Sequence, residues 1–150
     1  MDHFVSCDWG TTHFRLRLIE AKSLQVLNEF SSGDGVAPLS STASVRQRPS
    51  TFENHLKKSV TALLRDHPQL KVSTCLVSGM ATSSIGWKEL PYAATPQPLD
   101  GSALVYEELN LVLAHDTKLR VLLVSGVKTS DEVMRGEEME LPRESVYGLE

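Results

Sequence analysis

The sequence predicts an α/β fold built on a mixed sheet: an antiparallel meander followed by βα units. Three observations carry this expectation. Short strand-like runs follow one another through tight turns at the start, one amphipathic helix stands in the middle, and two apolar strands closed by glycine come after it. A meander leading into βα units gives parallel and antiparallel neighbours in one sheet. At 150 residues the chain is one domain, or one lobe of something larger. A chain of this size buries roughly 70% of its unfolded surface, so its core needs no disulfides.

The first strand is expected over His3–Cys7 and the second over Phe14–Glu20, where Phe14, Leu16 and Leu18 alternate with Arg15, Arg17 and Ile19. A turn at Glu20–Ser23 leads to a third strand, Leu24–Phe30, completing the meander. Ser31 to Pro49 reads as a long loop rich in Gly, Ser and Pro, and so as mobile or ligand-facing. The helix is expected over Thr51–His67. Ser50 is its N-cap, Glu53 completes a capping box, and Phe52, Leu56, Val60, Leu63 and Leu64 form its apolar stripe before Pro68. Lys71–Ser78 reads as a buried strand ending at Gly79, and Met80 to Pro98 as irregular. Leu104–Ala114 is ambiguous between helix and edge strand. Leu119–Val124 is the second apolar strand, ending at Ser125-Gly126, and a last helix is expected from Ser130 through Glu140.

Composition narrows the function classes. A net charge of −4 gives no basic face for nucleic acid or an anionic membrane, so neither is an expected partner. The N-terminus has no apolar signal-like segment and no run reaches a membrane-spanning length, which predicts a cytoplasmic protein. Cys7 and Cys75 both lie in apolar strand-like runs and read as buried, inert thiols. The histidines show no metal-ligand spacing, and His55 and His67 read as surface or satisfied structural residues. No Ser sits in a nucleophile elbow, which argues against a serine hydrolase.

Ligands of open α/β sheets sit beyond the carboxyl ends of strands. Three blocks fall there. Asp8-Trp9-Gly10-Thr11-Thr12 reads either as a plain hairpin turn or as a phosphate cradle with a metal-facing acid and Arg15 nearby. Gly79 to Tyr92 gathers Ser and Thr with Trp87, Glu89 and Tyr92. It suits a polyhydroxylated substrate, and equally a bland loop whose Trp anchors it to the core. Ser130 to Glu138 sets four acids around Arg135. Helix-dipole pairing explains Asp131 and Glu132 as well as a function does, while Gly136 inside a helix costs about 1 kcal/mol and hints at a close approach.

Asp8-Trp9-Gly10-Thr11-Thr12 with Arg15, then Gly79-Met80 with Gly86-Trp87-x-Glu89-x-x-Tyr92, then Val133-Met134-Arg135-Gly136-Glu137-Glu138, together resemble the 2-keto-3-deoxygalactonokinase family. The likeness runs from about residue 4 to about residue 140; the last two blocks are the specific ones. It implies the N-terminal lobe of an actin/hexokinase-like (ribonuclease H-like) fold, with ATP and Mg²⁺ as cofactors. The implied reaction is phosphorylation of a 2-keto-3-deoxy sugar acid, 2-dehydro-3-deoxygalactonate, to its 6-phosphate. By this resemblance Asp8 sits near the metal, Gly10, Thr11 and Thr12 face the ATP phosphates, and Asp8 and Arg15 order the phosphoryl group. Gly79, Met80, Ser83, Trp87, Glu89 and Tyr92 line the sugar-acid side, with Glu138 alongside and Arg135 as partner of the carboxylate. The resemblance places the general base at Asp131 or Glu132: the family pattern has Asp directly before Val-Met-Arg, this sequence has Glu132 there with Asp131 one position earlier, and Asp131 is the acid chosen.

The resemblance also implies a substrate-side lobe alone, with the second lobe absent and kinase activity of the isolated chain weak or nil. An exposed interlobe face would make it self-associate, so a homo-oligomer is one expected form. Two other readings compete. One is a non-catalytic sugar-acid-binding or assembly module derived from the kinase. The other is a different phosphotransferase of the same superfold, such as a pantothenate-type kinase, against which the Gly86-Trp87-x-Glu89 and Met134-Arg135-Gly136-Glu137-Glu138 blocks argue.

Overall fold

Alternation of apolar and polar residues sets the sheet. A computed structural model describes residues 1–96, 98 and 100–129, and the backbone of 133–134. Strands β1 (His3–Trp9), β2 (Phe14–Glu20) and β3 (Val26–Ser32) form the expected antiparallel meander. β4 (Thr74–Gly79) then pairs parallel to β1, and β7 (Lys118–Val124) pairs parallel to β4. β6 (Tyr106–Val112) closes the far side antiparallel to β7, giving the order β3-β2-β1-β4-β7-β6. The mixed α/β sheet is thus as predicted, and the ambiguous segment 104–114 resolves as an edge strand.

One face of this sheet carries the core. Cross-strand rows such as Phe14–Trp9–Gly79 and Leu16–Cys7–Val77 point toward α2 (Arg48–Leu64), whose Phe52, Leu56, Val60 and Leu63 are buried against them. Full burial of a side chain of this size contributes about 1.5–3 kcal/mol, so these rows dominate the stability of the fold. Asn28 fastens the meander to the helix end, its Nδ2 donating to the Leu63 carbonyl at 3.0 Å.

Several boundaries differ from the sequence reading. β1 runs on through Asp8 and Trp9, so those two residues belong to the strand and the turn proper is residues 10–13. The third strand starts at Val26 because Leu24 takes a positive φ of 58° in the preceding turn. The long loop contains a helix, α1 (Val36–Ser41). The central helix begins at Arg48, with Pro49 in its first turn, where a missing N–H costs nothing. Ser50 is therefore inside the helix and caps nothing: its hydroxyl donates to the Gln47 carbonyl at 3.0 Å. Glu53 pairs with Lys57 at 2.9 Å instead of closing a capping box. The helix stops at Leu64, before His67, and β7 carries exposed Lys118 and Arg120 between its buried residues.

A second, three-stranded sheet joins β5 (Ala93–Ala94), β8 (Val127–Lys128) and β9 (Val133–Met134). β9 pairs antiparallel with β8, Val127 opposite Met134, which overturns the expected continuous helix over Ser130–Glu140. The rest of that segment lies outside the described residues.

The two thiols are buried, as expected. Desolvation raises the Cys7 thiol well above its ordinary range, helped by Cys75 and Asp8, and pushes Cys75 up to about 12. Neither should react with Ellman's reagent in the native protein at mildly alkaline pH, and both should react in guanidinium. Above the unfolded thiol pKa of about 9 the unfolded chain binds fewer protons than the folded one. Stability should therefore fall as pH rises from about 9 toward about 12, read as a declining urea midpoint; fast native labelling would contradict this.

Candidate active site

The turn at the end of β1 is built from both sides. Gly10 N–H donates to the His13 carbonyl at 2.8 Å and closes the hairpin. The Gly10 and Thr11 carbonyls accept the Val36 and Ala37 N–H groups, each at 2.9 Å, so the first amides of α1 are plugged into the turn. This approach requires Gly35, because a Cβ there would lie 2.4 Å from the Thr12 carbonyl carbon. The Gly10 amide is thus spent on the turn itself. Thr11 and Thr12 remain: both are exposed, and among the described residues neither amide donates to a backbone carbonyl. The Thr12 hydroxyl lies 2.8 Å from His13 Nδ1.

Asp8 stands one residue before the buried Trp9, on the opposite face of the sheet. Arg15 and Ser78 flank it in the register. Its carboxylate is exposed and makes no ion pair among the described residues. Arg15 leans the other way, its Nε 3.9 Å from Glu29, which Arg17 holds at 2.9 Å; that bond keeps the Glu29 carboxyl below its usual range.

Trp9 ties the turn to the rest of the fold. It is fully buried, and its indole Nε1 donates to the Asp34 carbonyl at 3.1 Å, just ahead of α1. Phe14, Phe52, His55 and Trp87 surround it, with ring centroids at 4.7, 5.0, 5.7 and 6.2 Å. Trp87 of the second block therefore reaches the core, stacked on Phe52 at 6.5 Å, and the two tryptophans of separate blocks meet there.

The second block begins where β4 ends beside β1, with Gly79 opposite Trp9. Gly79 has φ 96°, and a Cβ on it would lie 2.6 Å from the Trp9 carbonyl oxygen. The loop then folds on itself. Ser83 N–H donates to Met80, Lys88 N–H to Ala81 and Leu90 N–H to Thr82, all at 3.0–3.2 Å. The Ser83 hydroxyl is turned inward, donating to the Met80 carbonyl at 2.6 Å, and Thr82 Oγ1 donates to Val124 at the end of β7. Met80 is half-buried and packs against the core, Tyr92 is half-buried, and Glu89 is exposed, so Glu89 faces outward while Ser83 and Trp87 hold the loop from within. Lys88 pairs with Glu107 of β6.

Three contributors escaped the sequence reading. Arg48 Nη1 donates to the Ser84 carbonyl at 3.2 Å, linking α2 to the loop, and its buried Nε has no partner among the described residues. Asp34 receives the Trp9 indole through its backbone. His55 is not a surface residue, and among the described residues its Nε2 has no hydrogen-bond partner. Its ring packs edge-on against Phe14 at 4.7 Å, and its buried Nε2 lies 3.9 Å from Asp34 Oδ2. Burial, set against the nearby Asp34, pulls its pKa down. Its signal was helical spacing, since Phe52, His55 and Leu56 share one face of α2.

Asp131, Arg135 and Glu138 lie outside the described residues. The backbone of β9 nevertheless runs two strands from Ala93, through β8. At the usual strand spacing that brings the third block within about 10 Å of the end of the second. Among the described residues no three His, Cys, Asp or Glu side chains cluster as a metal site, and no helix is long and apolar enough to cross a membrane.

Comparison with known proteins bears on this arrangement. A curated relative from Rhizobium meliloti (strain 1021), named as a probable 2-dehydro-3-deoxygalactonokinase, is 30% identical over 141 residues, covering 93% of this chain and 41% of the relative. A crystal structure from Sinorhizobium meliloti, of a protein named for the same activity, superposes with a TM-score of 0.65 at 25% identity, over 96% of this chain and 43% of that one. The chain thus spans less than half the length of either. The profile of the 2-keto-3-deoxy-galactonokinase family matches residues 8–142, through all three blocks, and the chain belongs to that family.

Proposed function

We propose that this chain forms the first, sugar-acid-side lobe of an ATP-dependent 2-keto-3-deoxygalactonate kinase of the actin/hexokinase-like fold. One observation carries the reading: the Asp8–Thr12 turn and the Gly79–Tyr92 loop leave the carboxyl ends of adjacent parallel strands and share one aromatic anchor. A phosphate-side element and an acceptor-side element are thereby held in fixed relation. Phosphoryl transfer needs that relation most, since positioning and charge neutralisation dominate its catalysis.

In this reading the Thr11 and Thr12 amides and hydroxyls receive phosphate oxygens, while Gly10 shapes the turn. Mg²⁺ beside a nucleotide is commonly held by one or two carboxylates together with phosphates and water. Asp8, exposed and without an ion-pair partner among the described residues, fits such a single-carboxylate role. When bound, the ion would neutralise phosphate charge. Arg15 lies within one strand of Asp8 and adds positive charge on the same face. Gly79, Met80, Ser83, Trp87, Glu89 and Tyr92 form the sugar-acid side, Glu89 and Tyr92 toward the ligand and Ser83 and Trp87 as its support. Asp131 serves as general base for the 6-hydroxyl, Arg135 pairs the carboxylate and Glu138 completes that wall. The adenosine side belongs to a second lobe, in keeping with the chain's 41% share of its relative's length.

Titration calorimetry of the chain with 2-keto-3-deoxygalactonate tests the reading. Saturable heat is expected with the sugar acid and not with neutral galactose; equal heats, or none with either, would overturn it. A second expectation concerns the metal. Asp8→Asn should change unfolding stability by no more than about 0.5 kcal/mol, as for an exposed residue. It should nevertheless abolish the strengthening of ATP binding by Mg²⁺, read by titrating ATP with and without the ion.

A further inference from the structure

We propose that the open edge of β6 pairs antiparallel with β6 of a second copy of this chain, in one register centred on Leu109. Among the described residues β6 is the last strand of the six-stranded sheet, bonded only to β7. It is seven residues long, about 24 Å of regular strand, with no proline, no lysine and no register shift along its ladder. Lysine, proline and bulges are devices that blunt an edge, and the two charges β6 does carry, Glu107 and Glu108, are each paired within the chain, with Lys88 and Arg120. The opposite edge, β3, does have a bulge in its ladder, between Leu18 and Ile19.

The bonding pattern fixes which residues can pair. Leu113 N–H donates to Thr117 and Ser125 N–H to the Val105 carbonyl, both at 2.7 Å and both in the β6–β7 register. Odd-numbered residues therefore turn their backbone groups to β7. Tyr106, Glu108, Asn110 and Val112 present theirs to the open edge. Their side chains share one face, and Tyr106 and Val112 are 63% and 52% exposed, among the largest exposed apolar groups of the chain.

Pairing about Leu109 sets Tyr106 against Val112 of the second copy twice and Glu108 against Asn110 twice, with Leu109 meeting its own counterpart. Every apolar residue of the exposed face then finds an apolar partner, and each carboxylate finds an amide donor. A shift of two residues one way opposes Glu108 with Glu108. A shift the other way opposes Glu108 with Val112 and leaves Tyr106 unpaired. A shift of one residue presents backbone groups that cannot bond. In the chosen register Glu108 of the second copy also enters the row of Arg120, which lies beside Asn110. The product is a two-fold symmetric, closed dimer.

Sedimentation equilibrium of the 150-residue chain over a concentration series tests this. A reversible monomer–dimer equilibrium is expected. Asn110→Pro removes a donor that faces the open edge and leaves the β7 ladder intact, so it should weaken dimerisation at least about tenfold with an unchanged circular dichroism spectrum. Asn110→Glu should weaken it comparably by opposing like charges, and Glu108→Lys with Asn110→Glu should restore it. A chain that stays monomeric throughout, or a dimer indifferent to both single variants, would overturn the proposal. So would failure of the double variant to restore association where Asn110→Glu has lost it.

Discussion

Replacing Trp9 with Ala should remove about 3–5 kcal/mol of unfolding free energy, the range for emptying a large aromatic from a packed core. Trp9 is fully buried and touches four rings, from β2, from α2 and from the Gly79–Tyr92 loop. Collapse around the void is limited, because the neighbours belong to elements fixed by their own ladders. A typical domain has only about 5–15 kcal/mol in total, so the variant should sit near the edge of folding. Trp9→Phe separates two components. It keeps a ring in the cluster but removes the indole donor to the Asp34 carbonyl, which should cost about 1–3 kcal/mol if that carbonyl is left unpaired. Urea unfolding followed by circular dichroism distinguishes the cases. A Trp9→Ala loss under about 1 kcal/mol would show that the cluster does not anchor the turn.

Legibility in the sequence followed the range of the interactions. β2 was read to the residue because a seven-residue alternation of buried and solvent-facing side chains suffices to define it. α1 was invisible: six residues with one buried side chain, Val36, have no periodic face. That helix forms because its first amides bond to the Gly10 and Thr11 carbonyls, which lie far back in the chain. β6 was ambiguous because Tyr106-Glu107-Glu108-Leu109-Asn110-Leu111-Val112 spaces its apolar residues tolerably for either element; pairing with β7 decided it. At the candidate site the turn and the loop were legible as blocks. Their meeting through Trp9 and Trp87 was not, and neither were the supports from Asp34, Arg48 and His55, because no local pattern encodes a contact between distant segments.

Gly79→Ala should damage the site more than any surface change while leaving most of the core in place. At φ 96° and ψ −145°, Gly79 occupies a region that a Cβ makes costly, by about 1–3 kcal/mol from the backbone alone. The added carbon would also lie 2.6 Å from the Trp9 carbonyl oxygen, closer than van der Waals contact permits, and that oxygen belongs to a strand backbone that cannot swing aside. Either β4 separates from β1 at its carboxyl end or the loop leaves it at a new angle. Both moves shift Met80 and the residues after it relative to Asp8 and the Thr11–Thr12 turn. A displacement of about 1 Å in positioned groups can cost about a hundredfold. The expected result is a stability loss of about 3 kcal/mol together with a fall of about that factor in affinity for the sugar acid. The two readouts must move together, because one junction sets both. Stability lost with undiminished affinity would mean that the loop is positioned by Lys88, Arg48 and Thr82 alone, and that the strand junction only supports the fold.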